Sequence, residues 1–336
     1  MQWDGTERIR FCLHRFLGSD TDDYTYEALK LFLLGAISRA FKPGCKFEVM
    51  LCLVGGQGAG KSSFFRLLAV NDDWFSDDLK KLDDENVYRK MQGHWIIEMS
   101  EMIATANAKS IEEIKSFLSR QKETYKIPYE THPADRKRQC VFGGSSNTLD
   151  FLPLDRTGNR RFVPVMVYPE RAEVHILADE QASREYINQM WAEAMEIYRS
   201  GNFRLRFSPA MNDYLKAHQK DFMPEDTKAG QILDYLERYS GSIVCSKQLY
   251  KEALGHDYDE PKQWELREIN DIMNNAVTGW RAFSNPRYFP EPYRRQKGWE
   301  RIRNDNEPDN SMDGFQEIPT EEMEQLGLPE EWLKQK

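Results

Sequence analysis

The chain has 336 residues, of which 40% are apolar and 30% charged, and its formal net charge is −9. These values are typical of a soluble globular protein with two or three domains. No apolar run reaches the length of about 18 residues that a membrane-spanning helix needs, and we expect no signal peptide at the N-terminus. Five scattered cysteines without a C-x-x-C pair favour reduced thiols in a cytoplasm over a disulfide framework or a zinc site.

The negative charge is concentrated near the C-terminus. Residues 304–336 carry ten acidic side chains and two lysines, whereas residues 281–303 carry seven basic side chains and two acidic ones. A basic patch followed by an acidic tail is compatible with nucleic-acid binding, against which the net charge alone would argue. We predict that residues 304–336 form an acidic flexible tail.

Two helices are predicted at the start of the chain. Apolar residues share one helical face over residues 6–18 and again over residues 26–41. The sequence Lys42-Pro43-Gly44 ends the second helix. We interpret residues 1–44 as an N-terminal helical segment that precedes a nucleotide-binding core over residues 45–222.

The core begins with a phosphate-binding loop. The apolar run 49–54 predicts a buried strand, and residues 55–62 fit the motif G-x-x-x-x-G-K-[ST] before a predicted helix. Lys61 would contact the β- and γ-phosphates, and the Ser62 hydroxyl would bind Mg²⁺. The motif therefore predicts a nucleoside triphosphate site. Its nucleotide-binding positions are Gly55, Gly56, Gln57, Gly58, Ala59, Gly60, Lys61, Ser62 and Ser63.

A second strand over residues 94–101 ends in acidic residues. In a parallel sheet such an acid lies beside the phosphate loop and binds Mg²⁺ directly or through water. A second acid nearby can orient and deprotonate the attacking water. Glu98 and Glu101 are the candidates, and Glu98 is the candidate metal ligand together with Ser62.

Pro128 and Pro133 exclude a helix over residues 121–138, so we predict a protruding hairpin or loop there. This segment mixes aromatic side chains with lysine and arginine, a combination that suits stacking on bases and binding of phosphates. An ordinary solvated hairpin would have the same pattern, so both interpretations stay open. The candidate DNA contacts of this segment are Lys126, Tyr129, Arg136 and Lys137.

A third predicted strand, residues 139–144, is followed by Asn147, which could contact the γ-phosphate or the attacking water. Arg160 and Arg161 precede the next predicted strand, residues 162–167. Either arginine could be a finger that acts on the ATP of a neighbouring subunit. Both could instead be surface residues in a salt bridge.

The C-terminal part reads as a helical stretch over residues 180–220, a linker over residues 223–227 and a last unit over residues 228–303. Three helices and a basic hairpin, with its turn at residues 296–298, predict a winged-helix-like DNA-binding domain in this last unit. Arg294, Arg295 and Lys297 are its candidate DNA contacts.

Together these motifs resemble the virulence-associated protein E family of phages and phage-derived genomic islands. The motifs that carry the resemblance are Trp3-Asp4-Gly5, Pro43-Gly44-Cys45-Lys46, the phosphate loop, and residues 95–101, 125–129, 138–147 and 157–162.

The resemblance implies an α/β fold with an AAA+ P-loop NTPase core, a central parallel sheet flanked by helices, akin to superfamily 3 helicases. It also implies an ATP-driven, hexameric ring on single-stranded DNA. By motif position, Glu98 and Glu101 match Walker B acids and Asn147 matches sensor 1. Arg160 or Arg161 matches the finger, and residues 121–138 match the DNA-gripping hairpin.

Two features depart from the family pattern. The acids are spaced E-x-x-E rather than adjacent, so which one polarises water stays open. The chain also begins at the Trp3-Asp4-Gly5 segment, and many relatives carry a primase-polymerase domain upstream of this segment. We therefore expect priming by a separate primase or by host replication proteins.

We therefore expect an ATP-dependent DNA helicase that acts in the bacterial cytoplasm during replication of a phage, satellite or genomic island. The alternative is an ATP-switched initiator or adaptor that binds single-stranded or origin duplex DNA without processive unwinding. A metabolite kinase would leave the paired arginines and the basic C-terminal unit unexplained.

Overall fold

The computed structural model describes residues 2–79, 82, 87–101, 108–125, 134–152, 154 and 159–302. The predictions for Lys126, Tyr129 and the tail 304–336 lie outside these residues. The chain divides into two compact units, of which the first ends at Thr227 and the second begins at Lys228. None of the helices in the described part combines the length and apolar content that crossing a membrane requires.

The helices of the described residues are α1 Ile9–Leu17, α2 Asp23–Phe41, α3 Lys61–Leu68, α4 Val87–Met91, α5 Ala108–Leu118, α6 Glu180–Ser200, α7 Pro209–His218, α8 Thr227–Arg238, α9 Ser246–Gln248 and α10 Gln263–Asn275. Short 3₁₀ turns cover Asp72–Trp74, Pro169–Arg171 and Gln219–Phe222, and a π-helical turn, Leu249–Ala253, continues α9.

The strands are β1 Met50–Val54, β2 Phe75–Ser76, β3 Ile96–Ser100, β4 Lys122–Tyr125, β5 Ala134–Lys137, β6 Val141–Ser146, β7 Phe162–Met166, β8 Ile243–Cys245, β9 Trp280–Ala282, β10 Arg287–Phe289, β11 Arg294–Gln296 and β12 Gly298–Arg301.

A five-stranded sheet in the order β2-β3-β6-β1-β7 is the centre of the first unit, and all its neighbouring strands are parallel. Every residue of β1 is buried, as is typical of a strand covered on both faces. The predicted α/β class with a central parallel sheet flanked by helices is confirmed. Because the strands are parallel, the residues that follow β1, β3 and β6 all lie at the carboxyl edge of the sheet.

The two faces of the sheet have separate apolar cores because side chains alternate along a strand. Leu51 and Leu53 of β1 belong to a core that includes residues of α1, α2, α3 and α6. Met50, Cys52 and Val54 belong to a second core that includes residues of α5. The N-terminal helices thus share one hydrophobic core with the central sheet.

Helix α3 packs closely on the sheet at a glycine. A Cβ atom at Gly143 of β6 would lie 2.4 Å from the Phe65 ring of α3. Phe65 itself is fully buried. The absence of a side chain at Gly143 therefore sets how near the helix that follows the phosphate loop approaches the sheet.

Residues 121–138 contain two antiparallel strands, β4 and β5, whose ends pair Lys122 with Lys137 and Tyr125 with Ala134. At the base of this hairpin, the buried Arg138 forms an ion pair with the buried Glu123. Arg138 also donates to the Phe117 carbonyl at 2.7 Å. The two arms of the predicted hairpin are therefore anchored on α5.

The second unit packs α8, α10 and the π-helical turn after α9 around an apolar cluster that includes Ile232, Leu249 and Ile272. Its strands form a three-stranded sheet in the order β8-β12-β9 and a two-stranded sheet of β10 and β11.

The predicted hairpin turn at residues 296–298 is wrong. β10 pairs with β11, so the turn lies at residues 290–293, and Gly298 begins β12. A Cβ atom at Gly298 would lie 2.1 Å from the Val244 carbonyl oxygen. This glycine is therefore required for close strand pairing with β8. In the sequence, a glycine after Lys297 has the same pattern as a turn residue, which is why the sequence predicts a turn there.

Candidate active site

The predicted phosphate loop connects the end of β1 to the start of α3. Gly58 and Gly60 have φ values of 78° and 81°, which side-chain-bearing residues rarely adopt. The Gly60 carbonyl accepts a hydrogen bond of 2.8 Å from the Phe64 amide, so the helix begins immediately after the loop. The motif residues Lys61, Ser62 and Ser63 consequently lie in the first turn of α3, whose N-terminal end carries partial positive charge.

The Lys61 ammonium is turned back over the loop. Its Nζ donates to the carbonyl oxygens of Gly55 at 2.6 Å and Gly56 at 2.8 Å, and to Asn147 Oδ1 at 2.9 Å. Burial lowers the pKa of Lys61, and the carboxylates of Glu101 and Glu98 oppose this shift. The three donors of the ammonium are thus held at the mouth of the loop, near two acids.

Glu98 lies at the centre of the site. Its side chain is fully buried, and its Oε1 accepts hydrogen bonds from Ser62 Oγ at 2.8 Å and from Ser145 Oγ at 2.5 Å. Its Oε2 is buried and has no hydrogen-bond partner among the described residues. Sequence reasoning missed Ser145, whose only signal is its position two residues before Asn147.

Glu101 and Asn147 are linked across the ends of β3 and β6. The Glu101 amide donates to the Ser145 carbonyl at 3.0 Å, and the Asn147 amide donates to Glu101 Oε1 at 2.8 Å. Glu101 adopts a φ of 52°, in the left-handed region that is uncommon for residues other than glycine. This conformation comes directly after β3 and accompanies the bond between the Glu101 side chain and Asn147.

The donor set near Ser62 suits a magnesium ion. Mg²⁺ usually binds one or two protein oxygen ligands and completes its shell with water and substrate phosphates. Ser62 and Glu98 are in direct contact, and Glu98 Oε2 is a buried oxygen without a protein partner in the described structure. Among all the residues that the structure describes, no group of three or more His, Cys, Asp or Glu side chains is placed to hold a metal ion.

Arg160 and Arg161 lie at the opposite edge of the sheet. They precede β7, whose first residue pairs with Met50 at the start of β1, whereas the phosphate loop follows the end of β1. A strand of five residues spans roughly 16 Å at about 3.3 Å per residue. The structure therefore does not bring these arginines to the phosphate loop of their own chain.

Both arginines contact Glu48, but differently. Arg160 Nη2 lies 3.0 Å from Glu48 Oε1, and 69% of the Arg160 side chain is exposed. Arg161 Nε lies 3.5 Å from Glu48 Oε2 and donates to Ser119 Oγ at 2.9 Å, with 22% of its side chain exposed. Burial raises the pKa of Glu48, but the Ser119 hydrogen bond and the nearby cations outweigh burial, so the pKa is lowered.

The two arginines line a cavity of about 1200 Å³ that is rich in positive charge. Seven basic and three acidic side chains line it. Arg204 and Arg206, in the loop between α6 and α7, are among the basic ones and were missed by sequence reasoning. The only sequence signal for them is the alternation of Phe203-Arg204-Leu205-Arg206.

The candidate DNA contacts belong to two separate regions. Arg136 and Lys137 lie on β5, in the first unit. In the second unit, Arg294 and Arg295 lie on β11, and Lys297 separates β11 from β12. The Arg294 side chain is 77% exposed and lies 3.3 Å from Glu291 Oε1.

A family model described as "Virulence-associated protein E-like domain" matches residues 1–224. The chain belongs to this family. Among functionally curated proteins, none matches this virulence-associated protein E-like chain.

Solved structures of the NrS-1 C-terminal region resemble the virulence-associated protein E-like chain. One, described as the A form apo structure, has a TM-score of 0.51 and 14% identity, and the match covers 88% of this chain and 76% of that one. A second apo structure of the region has a TM-score of 0.48 and 12% identity, with coverage of 88% and 75%. At such identity the first match shows a shared fold only.

Proposed function

We propose that the protein is an ATP-hydrolysing motor on single-stranded DNA, with an AAA+ core of the superfamily 3 helicase type. The observation that carries this proposal is the convergence of Lys61, Ser62, Glu98, Glu101 and Asn147 at one edge of the central sheet. These residues lie on α3, on β3 and in the turns that follow β3 and β6. They provide a phosphate-binding cation, a metal-binding pair, a carboxylate base and an amide that links them.

The strand order supports an AAA+ core. β6 lies between β1, which leads into the phosphate loop, and β3, which carries the acids. Asn147 therefore follows a strand that separates the loop from the acids, and its side chain and amide reach both. A residue at this position can respond to the γ-phosphate and to the hydrolytic water together.

The contacts favour distinct roles for the two acids. Glu98 is buried against Ser62, so we assign it to the Mg²⁺ shell. Bound Mg²⁺ would neutralise charge on the β- and γ-phosphates. Glu101 is less buried and bonded to Asn147, so we assign it as the base that orients and deprotonates water. Lys61 would exchange hydrogen bonds with loop carbonyls for bonds with phosphate oxygens.

The position of Arg160 supports a finger that acts on a neighbouring subunit. It lies at the edge of the sheet opposite the phosphate loop, is largely exposed, and borders a cleft rich in arginine. Arg161 is held by Ser119 and Glu48, so we assign it to positioning Glu48 and the cleft wall. The active site would then be complete only between subunits of a ring, and a hexamer is the form that the family resemblance favours.

DNA binding is proposed from the β4–β5 hairpin and the basic strand β11, together with the family membership. A strand-displacement assay tests the whole proposal, with a forked DNA substrate, ATP and Mg²⁺. We expect unwinding by the wild-type chain and none by Lys61→Ala. ATP hydrolysis and DNA binding without strand displacement would instead support the ATP-switched initiator or adaptor. Absence of ATP hydrolysis would overturn the proposal.

A further inference from the structure

A second cavity, of about 930 Å³, lies in the first unit near the amino edge of the sheet. Residues that immediately precede β3 and β6 contribute to its wall, as do the end of α2, α6 and strand β5 of the hairpin. The phosphate loop follows the carboxyl end of β1 and does not line it. This cavity is therefore distinct from the proposed ATP site.

The wall of this cavity is unusually aromatic. Trp95 and Trp191 lie with ring centroids 4.7 Å apart. Their indole N–H groups donate to the carbonyls of Ala36 and Leu68, each at 3.0 Å. Both rings are thus held in position by hydrogen bonds in the ring plane, and their faces can pack against other groups.

Two further rings of the cavity wall are open to solvent. Phe41 is 67% exposed and Trp74 is 45% exposed. Trp74 meets Trp95 edge to face, with an interplanar angle of 84°, and Phe41 stacks on Tyr198 at 5.7 Å. Large rings held in place yet exposed offer flat apolar surfaces to a ligand.

The charge beside these rings is positive. Of the two carboxylates in the wall, Glu123 is paired with Arg138, and Asp135 is paired with Lys122 and accepts from Thr124 at 2.6 Å. Lys137 also lines the cavity, is exposed, and has no ion-pair partner among the described residues. An anionic group beside the aromatic wall would therefore meet a cation that internal carboxylates do not neutralise.

The wall also contains an imidazole nitrogen without a hydrogen-bond partner among the described residues. His94 lines the cavity, and its Nδ1 is buried without a hydrogen-bond partner in the described part of the chain. Leaving such an atom unsatisfied costs free energy. A ligand with hydrogen-bonding groups on a planar edge could satisfy it.

We propose that this cavity binds an unstacked base of single-stranded DNA, held against the exposed rim rings Trp74 and Phe41, with Lys137 on the adjacent phosphate. The inference rests on the proposed function in one respect, that DNA is the ligand of this unit. A nucleotide has a planar aromatic base with donors and acceptors on its edge, and an anionic phosphate. It therefore matches the aromatic wall, the exposed rings, the unpaired cation and the unpartnered His94 nitrogen. The volume lies within the range of about 300–1,000 Å³ that is usual for ligand pockets.

The test measures the affinity of the full chain for a fluorescent oligothymidylate and for an abasic strand of the same length, without ATP. Base–aromatic stacking is worth about 1–3 kcal/mol per base, or about 5- to 150-fold in Kd. We expect Trp74→Ala and Phe41→Ala to weaken oligothymidylate binding within that range and to change abasic-strand binding little. Trp74→Phe should restore most of the affinity, because it keeps a ring.

Phe11→Ala is the matched control, because Phe11 is also 45% exposed and lies on α1, outside the cavity wall. It should leave both affinities unchanged. A 5-iodouracil oligonucleotide irradiated on the wild-type chain should cross-link to the peptide that contains Trp74. Melting temperatures near wild type for all variants would exclude unfolding as the cause.

Equal losses on the two strands, or unchanged oligothymidylate affinity in Trp74→Ala and Phe41→Ala, would overturn the proposal and indicate a cavity used by another ligand, such as a protein segment. In those cases wild-type ATPase and unwinding would still stand, so the failure is separate from that of the proposed function. A wild-type chain that binds no single-stranded DNA would overturn both.

Discussion

Asn147 Oδ1 lies 2.9 Å from Lys61 Nζ, although 85 residues separate the two along the chain. Through its amide, the same asparagine binds the Glu101 carboxylate at 2.8 Å. Lys61, the proposed phosphate-binding cation, and Glu101, the proposed base, are therefore joined by one residue. A substitution at Asn147 should affect ATP hydrolysis because it would change the relative positions of Lys61 and Glu101.

Lys61→Ala should reduce ATP hydrolysis by at least about 10²–10³-fold, because it removes a cation from a site where negative charge develops. The fold should persist, since Lys61 bonds to loop carbonyls and is not part of the apolar core. Steady-state ATPase and a thermal melt check the two parts. Lys220→Ala, an exposed lysine remote in sequence from the motif, is the control and should hydrolyse ATP normally.

Glu101→Gln should bind ATP and hydrolyse it about 10²–10⁴-fold more slowly, because an amide cannot accept the proton of water. Glu98→Gln should instead raise the Mg²⁺ concentration needed for half-maximal activity, because Glu98 contacts Ser62. Single-turnover hydrolysis at varied Mg²⁺ separates the two effects. If Glu98→Gln traps ATP while Glu101→Gln turns over normally, the roles are reversed.

Arg160→Ala should bind ATP with unchanged affinity yet lose about 10³–10⁵-fold in hydrolysis, the usual worth of an arginine finger. Mixing this variant with Lys61→Ala should restore part of the activity, because some interfaces of a mixed ring join an intact Lys61 to an intact Arg160. Specific activity of the wild type should rise with protein concentration.

Arg161→Ala serves as the comparison for the finger. Arg161 is held by Ser119 and Glu48, so its loss should cost less hydrolysis than that of Arg160. Wild-type rates in both single variants and in the double variant would show that the pair only forms a salt bridge with Glu48.

Gly143→Ala should destabilise the first unit by about 1–3 kcal/mol, because the new Cβ would overlap the buried Phe65 ring. Gly230→Ala is the matched control in α8, where a Cβ would meet no atom within 4 Å. There the change should stabilise the helix by roughly 0.5–1 kcal/mol. Denaturant titration of each variant measures both, and an unchanged midpoint for Gly143→Ala would contradict the packing argument.

Lys137→Glu should weaken single-strand binding and reduce the salt dependence of the affinity by about 0.7 for each phosphate that the variant no longer binds. The reason is that Lys137 is exposed and has no ion-pair partner among the described residues. Arg294→Glu in the second unit tests β11 independently, and there duplex binding should suffer more than single-strand binding. An unchanged salt slope in Lys137→Glu would remove β5 from the DNA-binding surface.

The sequence alone was enough to predict the strands, helices and turns whose signals come from neighbouring residues. The apolar run before Gly55, the glycine pattern and the helical pattern after it predict a strand, a phosphate loop and a helix, and the strand β1 and the helix α3 occur there. The two prolines of residues 121–138 exclude a helix and predict a hairpin or loop, and this segment contains the paired strands β4 and β5. Such signals depend on backbone conformation and side-chain periodicity over a few neighbouring residues.

Only the tertiary structure decided which residues meet. Strand order is set by packing across the whole unit, so the contacts of Ser145 with Glu98 and of Glu48 with Arg160 and Arg161 have no local signal. The same holds for Gly298, which the sequence pattern places in a turn and close pairing with β8 places in a strand. The aromatic cavity is likewise assembled from residues as distant as Phe41 and Trp191. Long-range packing of this kind depends on side-chain volumes and on distances between segments remote in sequence, which local sequence patterns do not reveal.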